Sequence, residues 1–96
     1  MTMHTITADE LKTWQREHRD FQLLDVRETY EREEGHIGGV HIPLGQLEER
    51  FVELSHETPI VIYCRSGGRS QRACALLNEE GFDVYNLQGG KTAFES

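Results

Sequence analysis

Pro59-Ile60-Val61-Ile62-Tyr63-Cys64-Arg65-Ser66-Gly67-Gly68-Arg69-Ser70 passes from an apolar run into a turn rich in glycine and arginine, and Gln71 then opens a helical pattern. A short Ile/Val run without polar alternation is the pattern of a strand buried on both faces, as in a parallel sheet. In such sheets ligands sit beyond the carboxyl ends of the strands, and Cys64 falls at that end. The stretch therefore predicts strand, loop and helix together, with a thiol at the strand's end.

The residues of the turn describe a cradle for an anion. Gly67 and Gly68 accept backbone angles that are costly for other residues, so successive N–H groups can turn inward around a charge. The following helix adds the partial positive charge of its N-terminus, and Arg65 and Arg69 add full charges. Each of these favours thiolate over thiol. A free cysteine titrates near ~8.5 and such surroundings lower that value, so Cys64 is expected to be a nucleophile at neutral pH.

Outward from this stretch, the chain alternates between the two kinds of element. Thr7-Ala8-Asp9-Glu10 has the pattern of a capping box ahead of Leu11 and Trp14 and predicts a short helix ending in the polar run Glu17 to Asp20. Gln22 to Val26 predicts a strand, Thr29 to Glu34 a charged helical turn or two, and Val40 to Ile42 a short strand stopped by Pro43. Leu44, Leu47, Phe51 and Leu54 recur at helical spacing. A helix is expected from Ser70 to Glu80 with Gly81 as its stop, and Val84 to Leu87 as the last strand. Apolar strands between helices imply an α/β domain with a mostly parallel sheet covered on both faces.

The chain has 96 residues, 36% hydrophobic and 28% charged, which supports one core and is too little for two. A single domain over residues 1–96 is expected. The formal net charge of -7 argues against nucleic acid and anionic membranes as partners, and makes the basic loop locally exceptional. Met1-Thr2-Met3-His4-Thr5-Ile6 has neither the basic region nor the apolar run of a secretion signal, and no segment reaches the length of a membrane span, so a cytoplasmic location is expected.

Three segments resemble the rhodanese family of sulfurtransferases. Leu23-Leu24-Asp25-Val26-Arg27-Glu28 is similar to the family's first strand motif, Gly35-His36-Ile37-Gly38-Gly39-Val40-His41-Ile42-Pro43 to its GHI-to-IP segment, and Cys64 to Ser70 to its catalytic loop. Leu87-Gln88-Gly89-Gly90 resembles the segment before the family's last helix. The resemblance implies a rhodanese-like α/β fold with a mostly parallel central sheet of about five strands and helices on both faces. It also implies transfer of sulfane sulfur from thiosulfate or a related donor through a persulfide on Cys64. Arg65, Ser66, Gly67, Gly68, Arg69 and Ser70 would bind the anion, and no cofactor or metal is implied. The acceptor would be cyanide in a tube and in a cell a thiol such as glutathione or thioredoxin, or a protein cysteine. Family members commonly carry a tryptophan after the glycines and a longer tail. Here Phe94 is followed by two residues, so a short final helix is expected.

Other readings stay open at the level of sequence. A persulfide carrier or binding module loaded by a protein partner would keep the same loop. Cysteine phosphatases and arsenate reductases share its ingredients but space cysteine and arginine one residue further apart. Asp25 and Arg27 read as a structural ion pair or capping group or, alternatively, as catalytic groups, with Asp25 facing the same rim as Cys64 and able to orient one loop arginine. Cys74, ten residues after Cys64, is a half-buried small hydrophobe or a resolving thiol. The five histidines show no metal-ligand spacing, although one could pair with Cys64. Glu31, Glu33 and Glu34 are expected on a solvated helix face.

Overall fold

The structure, a computed structural model, describes residues 3–96. β1 (Met3–Ile6) leads into α1 (Ala8–Arg16), whose start is fixed by the expected capping box. The Glu10 N–H donates to Thr7 Oγ1 at 3.1 Å, and the Thr7 N–H donates to Glu10 Oε1 at 2.9 Å. This pairs two of the donors that a helix N-terminus leaves without intrahelical acceptors. β2 (Gln22–Asp25), α2 (Thr29–Glu34) and β3 (Val40–His41) follow. The leucine-spaced segment forms α3 (Leu47–Arg50) between the 3-10 turns Leu44–Gln46 and Phe51–Glu53. β4 (Ile60–Tyr63), α4 (Gly68–Glu79), β5 (Val84–Leu87) and α5 (Gly90–Phe94) complete the chain.

The five strands form one sheet in the order β1-β5-β4-β2-β3, and every pairing is parallel. Successive side chains of a strand point to opposite faces, and β4 shows the result. Ile60, Ile62 and Cys64 join a core with Leu47 of α3 and with Ala73, Cys74 and Leu77 of α4. Val61 and Tyr63 join a second core with Leu11 of α1, Ile6 and Leu87, against which Trp14 and Phe94 pack. β4 is thus buried on both faces.

β2, β3 and α4 each end one residue short of the sequence reading, α4 also starts earlier, and one strand was not read. α4 begins at Gly68 rather than Ser70, because Gly67 already supplies the left-handed cap. β1 lies outside the strands read from the pattern: it is an edge strand in which only Ile6 is buried, so it shows no apolar run. The helix stop is as expected. Gly81 takes φ +89, and the Phe82 N–H donates back to the Leu77 carbonyl at 3.0 Å. Among the described residues no helix is long and apolar enough to cross a membrane.

Candidate active site

Cys64 leaves β4 and is only 1% exposed. Gly67 turns the chain at φ +113 and aims its N–H at Cys64 Sγ from 3.0 Å, and the Ser70 N–H donates to the same sulfur from 3.4 Å. The thiol donates to Ser70 Oγ at 3.5 Å, and the Ser70 hydroxyl in turn faces Asn86 Oδ1 of β5. Asn86 Nδ2 donates to the Gly67 carbonyl at 3.3 Å, so one β5 side chain ties both ends of the turn. Burial alone pushes the Cys64 thiol up. Hydrogen bonding with the Ser70 side chain, together with the Ser70, Gly67 and Ser66 N–H groups, overcomes that and holds it below the ordinary thiol value.

The loop rests on α5. The Lys91 N–H donates to the Cys64 carbonyl at 2.9 Å and the Thr92 N–H to the Arg65 carbonyl at 3.1 Å. This approach requires Gly90, which sits at φ +61: a Cβ there would lie 2.5 Å from the Cys64 carbonyl oxygen and 2.6 Å from that of Arg65. Gly68, by contrast, has open space around its missing Cβ and starts α4 without a left-handed angle. Of the two loop glycines, only Gly67 needs glycine's conformational freedom.

The two loop arginines have different surroundings. Arg69 Nη1 and Nη2 donate to the two carboxylate oxygens of Glu31 at 2.6 and 2.9 Å. Arg69 thereby holds the Glu31 carboxyl at about 2, and the carboxylate raises the Arg69 value further. The expectation that Glu31 sits on a solvated face is therefore corrected, since it is 9% exposed and clamps the loop to α2. Arg65 is exposed and has no charged partner among the described residues.

Asp25 and Arg27 form the ion pair expected of a structural role. Arg27 Nε and Nη2 donate to Asp25 Oδ1 and Oδ2, each at 2.9 Å, and both residues are buried. Burial opposes the Asp25 charge, yet the Arg27 bonds hold its carboxyl below the usual carboxylate range. Asp25 orients no loop arginine: its further contact is with Arg32 at 3.4 Å. The cluster instead fixes the segment after α2. Arg27 donates to the Gly35 carbonyl at 2.8 Å, Arg32 to those of Gly38 and Gly39 at 3.2 and 2.8 Å, and the Tyr63 hydroxyl to Gly38 at 2.9 Å.

Among the described residues no histidine bonds to Cys64: His41 Nε2 contacts the Arg27 carbonyl at 2.7 Å, and His36 Nδ1 accepts from the Gly38 N–H at 3.0 Å. Cys74 is buried in the α3/α4 core, where burial pushes its thiol up to about 12, and both cysteines are free. A half-buried hydrophobe is corrected to a fully buried one. Asn86 was not singled out by sequence reasoning, and Gly90 was named only within the segment 87–90, without its place under the loop. An asparagine within a Val/Leu strand, and a second glycine after the Gly89 cap, were the available signals.

Beside the loop lies a cleft of about 330 Å³ between α2 and α5, with Arg65 in its wall and Arg27 among its lining residues. Cys64 itself does not line it.

Comparison with known proteins places this geometry among others. The profile of the rhodanese-like domain matches residues 7–96. The chain is 34% identical over 94 residues to a protein of Allochromatium vinosum named "Sulfurtransferase", covering 96% of this chain and 88% of that one. It is 38% identical over 74 residues to "Thiosulfate sulfurtransferase GlpE" of Coxiella burnetii, covering 75% and 69%. The crystal structure of a rhodanese-like domain protein from Staphylococcus aureus superposes with a TM-score of 0.90 at 30% identity, covering 96% of this chain and 91% of that one.

Proposed function

The chain belongs to the family of rhodanese-like domains, and from that premise we propose that it is a sulfurtransferase moving sulfane sulfur from thiosulfate or a related donor through a persulfide on Cys64. The observation that supports this best is the set of N–H donors converging on Cys64 Sγ from Gly67 and Ser70. A thiolate held this way attacks the outer sulfur of thiosulfate. A bond forms between the two sulfurs, the donor's S–S bond breaks, and sulfite leaves with the electron pair. The persulfide that remains carries its negative charge on the terminal sulfur, where the loop's N–H groups and the start of α4 favour it.

An acceptor thiolate, its proton lost to solvent, then attacks the terminal sulfur, and Cys64 departs as thiolate. Electrostatics and position are the protein's contribution. Arg65, with no carboxylate partner, is the arginine available to a dianionic donor or to departing sulfite. Arg69, neutralised by Glu31, mainly shapes the loop. Cys64 is only 1% exposed, so access of a donor's sulfur requires the loop residues to yield. A phosphoryl group with its three oxygens needs a wider ring than four residues between Cys64 and Arg69 provide.

Intact-protein mass spectrometry before and after brief exposure to thiosulfate tests this reading. One sulfur added to Cys64, removable by cyanide or a thiol and absent in Cys64→Ser, is the expected result. No added sulfur from thiosulfate would reject it as donor. Loading by a protein persulfide alone would instead make the chain a carrier, and turnover of a phosphate ester would make the loop a phosphatase site.

A further inference from the structure

The cleft between α2 and α5 presents charges of both signs, and most are already paired within the protein. Glu31 is held by Arg69, Lys91 Nζ by Glu95 at 2.7 Å, and Arg27 by Asp25. Two lining groups remain without a charged partner among the described residues: Arg65 in the catalytic loop and Glu34 at the end of α2. Both are exposed. One unpaired cation and one unpaired carboxylate on a shared cleft complement a small molecule that carries both a carboxylate and an ammonium group. Tyr30, also exposed and on the cleft, adds an aromatic wall, and Thr92 adds a hydroxyl.

We propose that this cleft is the acceptor subsite and selects a low-molecular-weight thiol bearing an amino-acid group, its carboxylate on Arg65 and its ammonium on Glu34. The inference rests on the sulfur-transfer reading, and Arg65, which follows Cys64 directly, is the link between this cleft and the loop that holds the sulfur. In the transfer, the thiol's proton goes to solvent and its sulfur bonds to the terminal persulfide sulfur. The Cys64 S–S bond breaks, leaving the acceptor as persulfide and Cys64 as thiolate. No oxidant or reductant is consumed. The charge pattern favours a small zwitterion over a protein cysteine, whose flanking charges are not fixed.

Binding of unreactive thioethers separates the subsite from the chemistry. S-methylcysteine carries both charges, (methylthio)acetate only the carboxylate, and 2-(methylthio)ethylamine only the ammonium. Titrated into the unmodified protein and followed by NMR, S-methylcysteine should bind about tenfold tighter than either single-charge probe and perturb Arg65, Thr92 and Glu34. Glu34→Gln should erase its advantage over (methylthio)acetate, and Arg65→Gln its advantage over the amine. Equal affinities, perturbations elsewhere, or indifference to Glu34→Gln would overturn the proposal. So would discharge of the persulfide by a protein thiol without any preference among small thiols. Thiosulfate loading of Cys64, measured separately by mass, shows which claim has failed: loading without zwitterion preference rejects the subsite alone, and absent loading rejects the thiosulfate reading whatever the thioethers do.

Discussion

At the scale of single residues, the proposed chemistry depends on how a buried sulfur carries negative charge. Desolvation of Cys64 opposes ionisation, and the donors from Ser70 and Gly67 outweigh it. Ser70→Ala removes the hydroxyl and keeps the Ser70 N–H, so the Cys64 titration midpoint should move up and alkylation by iodoacetamide at pH 7 should slow about three- to tenfold. An unchanged rate-versus-pH profile would show that the backbone donors suffice. The two glycines of the loop make a sharper contrast. Gly67→Ala forces a Cβ onto φ +113 and should cost roughly 1–2 kcal/mol while impairing sulfur loading. Gly68→Ala starts a helix in open space and should be neutral or stabilising by up to about 1 kcal/mol. Urea unfolding midpoints with thiosulfate loading read both, and equal effects would mean that loop geometry is not set by Gly67.

Between elements, the Glu31–Arg69 pair joins α2 to α4 across 38 positions of sequence. Arg69's side chain is 36% exposed, so solvent screens the pair, and Glu31→Gln should destabilise the fold by roughly 1–2 kcal/mol rather than the larger loss seen when a buried pair is broken. The Glu31 carboxyl lies at about 2 in the folded protein against 4.5 as its ordinary value. A depressed acid stabilises the folded state fully above the higher value and loses that stabilisation as pH falls through the lower one. Unfolding midpoints of the parent and Glu31→Gln should therefore differ at pH 6 and converge between about pH 4.5 and pH 2. A gap that persists at pH 2 would trace the difference to packing instead of charge.

For the molecule as a whole, the sheet divides the interior into two cores, one under α3 and α4 and the other under α1 and α5. Ile62 belongs to the first and Ile6 to the second, and their strands are separated by β5. Ile62→Val and Ile6→Val should each cost about 0.5–1.5 kcal/mol in chemical denaturation. The double variant should lose their sum to within about 0.5 kcal/mol, because the two cavities share no collapsing neighbours. A coupled loss would show that strain passes through the sheet. The placement of Cys64 follows from the same architecture: a central strand covered on both sides ends at the rim, and α5 seats beneath the loop only because Gly90 admits the Cys64 and Arg65 carbonyls.

Local sequence determined the parts whose causes are local. The Thr7–Glu10 capping box, the apolar run of β4, the Gly81 stop and the strand-loop-helix around Cys64 each depend on residues within a few positions of one another, so periodicity and capping chemistry expose them. The fold class followed from their alternation. Tertiary structure decided what depends on strand order. Glu31 reads as one more acid on a charged turn until the fold sets it against Arg69, and Asn86 as an ordinary strand residue until β5 lies beside β4 and brings it to Ser70. β1 escaped notice because an edge strand with one buried residue has no apolar period to read, and it pairs with a strand near the other end of the chain. The cleft that joins Arg65 to Glu34 exists only because α5 returns to the rim of α2, and pairing at such separations is fixed by packing rather than by local pattern.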